Sequence, residues 1–311
     1  MDHTPVMLQE VIENLSPKTG ELHLDCTFGA GGYTKAMLET GASVIAIDRD
    51  PSAKKYADPL KAEFGDQFTF VNSTFADTGK YADKNRLFDG IVLDLGVSSM
   101  QLDQAERGFS FMHAGELDMR MGQDGKSAKD FVNNAPEEEL ARVIYEYGDE
   151  IASRRIARSI VAVREKEEIA TTTQLAEIVR KAIGHRPGKI DTATKTFQAI
   201  RIWVNDEMEE IETFLSKASS MLTLGGRLVI VTFHSLEDKI AKEYLTKNSS
   251  KKVAKSKYAH LSPSHVASKE EISIYKILHR KPLVPTDAEV RRNPRCRSAK
   301  LRSAIKIAEG L

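Results

Sequence analysis

The segment whose residue types point most clearly to a ligand site is a glycine-rich run at positions 25–33, which follows a short apolar stretch. Glycines at the end of a strand let the backbone turn tightly and approach a ligand closely. A dinucleotide fingerprint needs a third glycine at the position where Thr34 stands. Asp25, four residues before Gly29, disfavours a pyrophosphate but suits a cofactor with an amino-acid end and a sulfonium. The pattern favours S-adenosylmethionine, with a nicotinamide dinucleotide as the rival interpretation.

A second acid, Asp48, ends the next apolar run. Its spacing from the glycine turn fits an acid that accepts hydrogen bonds from ribose hydroxyls. The alternative role is a helix N-cap, which Asp50 before Pro51 fits better. Phe75, just past the third apolar run, could stack near an adenine, although by spacing alone such a residue is more often part of the core.

Three residues are candidates for accepting or donating a proton. Asp94 leaves the fourth apolar run and enters a turn of small residues, with a turn or cap role as the alternative. Asp118 lies near a loop with two Phe and two Arg, which is typical of a base-stacking surface or, equally, of a core. His234 follows the fifth run, where a structural and a catalytic role are about equally expected.

These residues must be positioned by alternating strands and helices, which predict an open, mostly parallel α/β sheet. Helices are predicted at Tyr33–Thr40 and Pro51–Phe64. The predicted strands of the first third are Glu21–Cys26, Ser43–Ile47, Gln67–Asn72 and Leu87–Leu95.

The pattern becomes purely helical after the fourth strand. Three helices are predicted there, at Pro136–Tyr147, Glu150–Lys166 and Thr172–Ile183. A long helix is predicted next, at Ala193–Leu222, and Gly225-Gly226 ends it. The strand pattern resumes at Arg227–Phe233. Two further strands are predicted in the tail, at Ile272–His279 and Ser298–Ile307. The simplest account is a helical insert, 103–191, inside an α/β domain formed by 1–102 and 192–311.

Composition narrows the class of protein. The 311 residues have a formal net charge of zero, but from Lys239 to Lys306 basic residues outnumber acidic ones roughly three to one. This excess suits a polyanion partner, or else a solvated tail with a disordered-looking stretch at Asn248–Lys257. No apolar run approaches the roughly 20 residues of a membrane span. Two distant cysteines without metal-type spacing favour reduced thiols, no metal site and a cytoplasmic location.

At this point the motifs can be compared with a known family. The chain resembles the small-subunit (16S) rRNA cytosine-N4 methyltransferases, also called MraW. The resemblance implies a class I methyltransferase fold with an inserted helical domain. The segments that match the family, in chain order, are 3–7, Asp25–Tyr33, Ala46–Pro51, Asp94–Asp103, Glu106–Met112, Leu117–Met121, Phe197–Asn205, Thr232–Lys239 and Asn293–Arg302.

The resemblance also implies an activity and a set of contacts. The expected reaction transfers a methyl group from S-adenosylmethionine to N4 of a cytosine in the ribosomal decoding region. The expected partner is small-subunit rRNA or the 30S particle, with no membrane and with a homodimer left open. Tyr33 stands where many relatives carry His. The implied cofactor contacts are Gly31, Gly32, Tyr33, Asp48, Phe75, Asp94 and Gln101, beside Asp25 and Gly29 from the glycine turn.

Overall fold

A computed structural model describes residues 5–80, 86–122, 124–184, 191–249 and 273–309. Its sheet has seven strands in the order β3-β2-β1-β4-β5-β7-β6. The first five strands run parallel, and β7 is antiparallel to both of its neighbours. The strands are β1 Leu22–Asp25, β2 Ser43–Asp48, β3 Phe68–Asn72, β4 Phe88–Asp94, β5 Leu222–Thr232, β6 Tyr275–Ile277 and β7 Lys300–Lys306. This topology confirms the predicted class I methyltransferase fold.

The strand order reverses between β1 and β4, and ligands of open α/β sheets bind at such a switch point. The register aligns the acids there. Asp25 pairs with Ala46 of β2 and with Val92 of β4. Asp48 and Asp94 each lie two residues beyond those partners, so both share a face with Asp25 at the carboxyl edge.

Contacts divide the chain into two compact units, and each is described by itself. The sheet unit comprises Asp2–Asp48, Ala57–Leu95 and Ile211–Leu311, and the helical unit comprises Met1, Arg49–Tyr56 and Gly96–Glu210. The boundaries predicted for the insert, 103–191, stay a prediction.

The sheet unit forms its strands from apolar runs. Ile91, Val92 and Leu93 of β4 are fully buried, which explains why this strand reads as a continuous apolar stretch rather than an alternating one. Its helices are α1 Leu8–Leu15, α2 Gly32–Leu38, α3 Lys54–Phe64, α10 Glu207–Met221, α11 Ser235–Ser249 and α12 Asp287–Arg292, of which α3 and α10 extend into the other unit.

The helical unit has a separate apolar core. Leu140, Val143 and Ile144 are fully buried on one face of their helix, in line with helical spacing. Side-chain caps fix where helices begin, as at Thr171, whose hydroxyl accepts from the amide of Gln174. The helices are α4 Ser99–Asp103, α5 Ala128–Asn134, α6 Glu137–Gly148, α7 Ser153–Arg164, α8 Thr172–Ile183 and α9 Ala193–Val204.

The predicted long helix, 193–222, is wrong, because two helices occupy this segment. The chain breaks at Asn205 and at Asp206, whose φ is 50°. The Asn205 side-chain amide donates to the carbonyls of Arg201 and Met119, and this loop contact competes with helix continuation. The predicted stop at Gly225-Gly226 is also wrong, because both glycines lie inside β5.

The remaining predicted elements agree with the structure to within a few residues at each end. Much of the predicted disordered stretch, 250–257, lies outside the described residues, while Asn248 and Ser249 end α11. Among the described residues, no helix is both long and apolar enough to cross a membrane.

Candidate functional site

The glycine turn between β1 and α2 needs glycine for two different reasons. Gly29 and Gly31 have φ values of 54° and 80°, which favour glycine. Gly32 faces a neighbour instead, since a Cβ there would lie 2.1 Å from the Cγ of Pro5. A Cβ on Gly29 would meet no atom nearer than 3.9 Å. The turn is thus open at Gly29 and packed at Gly32.

Asp25, at the end of β1, is fully buried and binds residues on both sides of this turn. One of its carboxylate oxygens accepts from the Thr27 amide at 3.1 Å, and the other accepts from the Thr34 hydroxyl at 2.7 Å. Burial raises the pKa of Asp25 from 3.8 to about 6, against the lowering effect of these hydrogen bonds. The same Thr34 whose presence argued against a dinucleotide site therefore supports the acid.

Asp48 ties the end of β2 to the glycine turn. Its Oδ2 accepts from the Gly29 amide at 2.7 Å. Its backbone carbonyl accepts from the Ser73 amide at 3.0 Å and from the Asn72 side chain at 2.8 Å. The carboxylate is half-buried, so it lies at the open part of the turn. Its predicted contact with ribose stays a prediction.

Asp94, at the end of β4, has a side-chain oxygen that no hydrogen bond from the described residues satisfies. Its Oδ1 is shielded from solvent and has no hydrogen-bond partner in the described part of the chain. The Asp94 amide donates to the Thr27 hydroxyl at 2.6 Å, so Thr27 contacts both Asp25 and Asp94. Burial, then the charges of Asp25 and Glu237, raise the pKa of Asp94 well above its usual range. A carboxylate with a shielded, unpartnered oxygen favours a cation or a hydrogen-bond donor beside it.

Tyr33 joins the turn to the start of the chain. It is buried, and its hydroxyl donates to the carbonyl of Val6. Burial, followed by the nearby charges of Asp94 and Asp25, raises the pKa of Tyr33 well above its ordinary value. The Met7 amide donates to Glu289 at 2.6 Å, which holds the same segment from the other side. Tyr33 therefore positions the segment 5–7 as well as facing Asp94.

Phe75 packs inside the sheet unit. Its ring meets that of Phe214 edge-on, with 5.7 Å between the ring centroids. Phe75 is half-buried, so part of its surface remains accessible. Its predicted contact with an adenine stays a prediction.

His234 immediately precedes α11, and the acid that faces it, Glu237, was not among the site residues predicted from the sequence. Glu237 is fully buried, and its Oε2 accepts from the amides of Phe233 at 2.7 Å and His234 at 3.2 Å. The Glu237 amide in turn points at His234 Nδ1, 3.5 Å away, and His234 Nε2 lies 2.9 Å from Glu237 Oε1. This reciprocal arrangement resembles a capping box. Glutamate three residues after a strand-to-helix junction was the available signal.

Two predicted site residues, Gln101 and Asp118, belong to the helical unit. Gln101 is buried, and its side-chain amide donates to Asp50 at 2.9 Å. Asp118 forms a two-pronged pair with Arg120, at 2.9 and 2.8 Å. Burial acts to raise the pKa of Asp118, but the hydrogen bonds from Arg120 hold it below its usual range. A carboxylate so fully paired is a poor proton acceptor.

Arg107 organises the loop that contains these residues. One guanidinium nitrogen donates to Asp50 at 2.8 Å, and the other donates to the carbonyls of Arg120 and Met121 at 3.0 Å. Phe109 and Met121 are buried in the apolar core of this unit. The phenylalanines of this loop were interpreted either as a base-stacking surface or as part of a core. For Phe109, the structure favours the core position.

The sheet unit thus brings together a glycine turn and the acids of three strands. Neither Asp25 nor Asp94 pairs with a lysine or arginine among the described residues. A ligand with positive charge and hydroxyl or amino donors complements such a site, whereas a pyrophosphate would be repelled. The unpartnered oxygen of Asp94 and the open space at Gly29 fit a sulfonium cofactor of the predicted kind.

The chain is similar to named proteins over almost its whole length. It is 55% identical over 313 residues to the ribosomal RNA small subunit methyltransferase H of Rickettsia africae, covering 99% of each chain. It is 54% identical over 311 residues to the protein of that name from Rickettsia prowazekii, covering 98% of each. A solved rRNA methylase from Streptococcus thermophilus covers 99% of each chain at 9% identity, with a TM-score of 0.44, too remote to bear on function.

The MraW methylase family profile matches residues 1–307. That span includes the glycine turn, Asp48, Asp94 and the His234–Glu237 cap of the sheet unit. On this evidence, together with the relatives at 54–55% identity, the chain belongs to the MraW methylase family.

Proposed function

We propose that this protein transfers a methyl group from S-adenosylmethionine to N4 of a cytosine in the decoding region of small-subunit rRNA. The family assignment makes it a methyltransferase, and its relatives are named for small-subunit ribosomal RNA. The cytosine N4 target is the one implied by the motif resemblance. The observation that carries the proposal is the sequence identity of 55% over 99% of the chain.

S-adenosylmethionine supplies an electrophilic methyl group on a positively charged sulfur. The residues that would hold it are those of the sheet edge. Gly29 leaves room for close approach, Asp48 offers a carboxylate to the ribose hydroxyls, and Asp94 faces the positive charge. Asp25 acts indirectly, because both of its oxygens already accept hydrogen bonds from Thr27 and Thr34.

The cytosine amine is a poor nucleophile, because its lone pair is delocalised into the ring. Holding N4 in line with the methyl group can contribute about 7–11 kcal/mol to lowering the barrier. The amine also needs an acceptor for the proton that it loses on methylation. Of the three candidates, Asp118 is paired with Arg120, and His234 caps the start of α11, with its Nδ1 3.5 Å from the Glu237 amide nitrogen. We therefore infer that Asp94 accepts the proton.

The helical unit is proposed to bind the RNA substrate, after the target base has left its stack. The basic tail is proposed to contact phosphates. Two basic residues of the tail form ion pairs within the fold, since Lys300 and Arg302 pair with Asp238 at 3.1 and 2.7 Å. Arg291, Arg292 and Arg297 are exposed, and these are the arginines that we propose contact RNA. We place this activity in the cytoplasm, on the 30S particle or its rRNA.

Mass spectrometry of rRNA nucleosides from a strain lacking the protein tests the reaction. We expect N4-methylated cytidine to disappear from small-subunit rRNA and to return with the wild-type gene. A gene carrying Asp94→Ala should not restore it, whereas the exposed-site control Asp58→Ala should. An unchanged nucleoside profile in the deletion strain would refute the proposed target.

A further inference from the structure

We propose that binding of S-adenosylmethionine expels one proton from Asp94, whereas binding of the demethylated product S-adenosylhomocysteine expels none. This inference rests on the proposed function and adds a basis for discriminating donor from product. The two ligands differ only in the methyl group and in the positive charge on sulfur. A group that responds to that charge alone can therefore tell them apart.

The geometry first places the proton on one residue. Asp25 and Asp94 lie on adjacent strands and are linked by Thr27, whose amide donates to Asp25 and whose hydroxyl accepts from the Asp94 amide. Both oxygens of Asp25 accept hydrogen bonds, and these bonds favour its ionised form over the protonated one. Asp94 Oδ1 is shielded and without a partner, so it can carry the proton.

The surroundings of Asp94 then oppose its ionisation. The groups that face it are Asp25 from β1, Tyr33 from α2 and Glu237 from α11. Asp25 and Glu237 are carboxylates, whose charges oppose ionisation of Asp94. Tyr33 is a neutral phenol, and its hydrogen bond acts in the opposite direction but more weakly. Like charges that share a site cannot all ionise, which favours a neutral Asp94 when no ligand is bound.

A sulfonium beside Asp94 reverses this balance, because an opposite charge within a few ångströms favours the ionised carboxylate. The proton leaves for solvent, and the site keeps its net charge. Asp94 is then ionised and can accept the N4 proton when the methyl group is transferred. After transfer the sulfur is neutral and Asp94 is again protonated, so charge and protons balance over the cycle.

Isothermal titration calorimetry in phosphate and in Tris at the same pH measures the released proton directly, without RNA. The binding enthalpy of S-adenosylmethionine should depend on the buffer with a slope near one proton, and that of S-adenosylhomocysteine should not. Donor affinity should also rise by up to about tenfold per pH unit below the pKa of Asp94, while product affinity stays flat.

Asp94→Asn should abolish the buffer dependence, and the exposed control Asp58→Asn should keep it. If Asp94→Asn fails to fold, infrared difference spectra of the wild type give a second measurement. They should show a protonated carboxyl group that is lost on adding the donor but not the product. Donor binding without proton release would overturn this inference and leave the proposed function intact, whereas no donor binding would overturn the proposed function. Proton release that persists in Asp94→Asn would show that Asp94 is the wrong residue.

Discussion

Replacing Asp25 by Asn should make the free protein more stable near neutral pH, although Asp25 supports the cofactor site. Asp25 is fully buried, and burial raises its pKa from 3.8 to about 6. The ionised carboxylate is therefore less favourable in the folded protein than in the unfolded chain. Asn resembles the protonated acid in shape, can still accept one hydrogen bond, and carries no charge at any pH.

The size of the effect follows from linkage between protonation and folding. For a carboxyl group with a raised folded pKa, the destabilisation is absent below pH 3.8, grows as the pH rises, and is complete above about pH 6. The full shift corresponds to about 3 kcal/mol. About 2 kcal/mol of this should develop between roughly pH 4.5 and 7.5.

Urea unfolding followed by circular dichroism at several pH values measures this change. The quantity to plot is the free energy of unfolding of Asp25→Asn minus that of the wild type. This difference removes the titration of all other groups and any constant cost of the substitution. It should rise by about 2 kcal/mol across that pH range, while donor affinity falls. A flat difference would refute the assignment of a strained, ionised Asp25, and Asp58→Asn on the surface should give a flat line.

Four further results are expected. Gly32→Ala should displace the segment 5–7, because the new Cβ would lie 2.1 Å from Pro5, and faster hydrogen exchange at the Met7 amide would report it. Arg107→Lys should lower the free energy of unfolding by about 3 kcal/mol, because a lysine cannot reach Asp50 and two carbonyls at once. Asp48→Ala should weaken S-adenosylmethionine binding in calorimetry. Changing both Arg291 and Arg297 to Glu should reduce RNA affinity and lower the slope of its salt dependence by about two.

Three of these substitutions have a matched control. A Cβ on Gly122 would lie 3.6 Å from the Arg49 carbonyl oxygen, an ordinary van der Waals contact, so Gly122→Ala should leave exchange at Met7 unchanged. A Gly32→Ala protein that did the same would contradict the packing. Arg142→Lys, in an exposed helix pair, should change stability by under about 0.5 kcal/mol. Unaltered donor affinity in Asp48→Ala would contradict the ribose assignment. An unchanged salt slope would remove the exposed arginines from the RNA interface, for which Lys35→Glu is the charge control.

Much of the fold and part of the site could be predicted from the sequence, because their signals are local. Apolar runs with β-branched residues predicted β1 to β5, and strand–helix alternation predicted a parallel sheet with its acids at one edge. The glycine turn could also be predicted, since a positive φ at Gly29 and Gly31 favours that residue type. Asp94 was placed correctly at a strand end because the run before it is continuously apolar.

Only the tertiary structure decided how each polar group is used, because hydrogen-bond partners come from distant parts of the chain. Asp118 and Asp94 look alike in sequence, yet one is neutralised by Arg120 and the other keeps an unpartnered, shielded oxygen. The break at Asp206 depends on Asn205 bonding to the carbonyl of Met119, which no helical periodicity encodes. Periodicity and residue type set the elements, whereas burial and long-range pairing set the charge of each acid, and with it the chemistry.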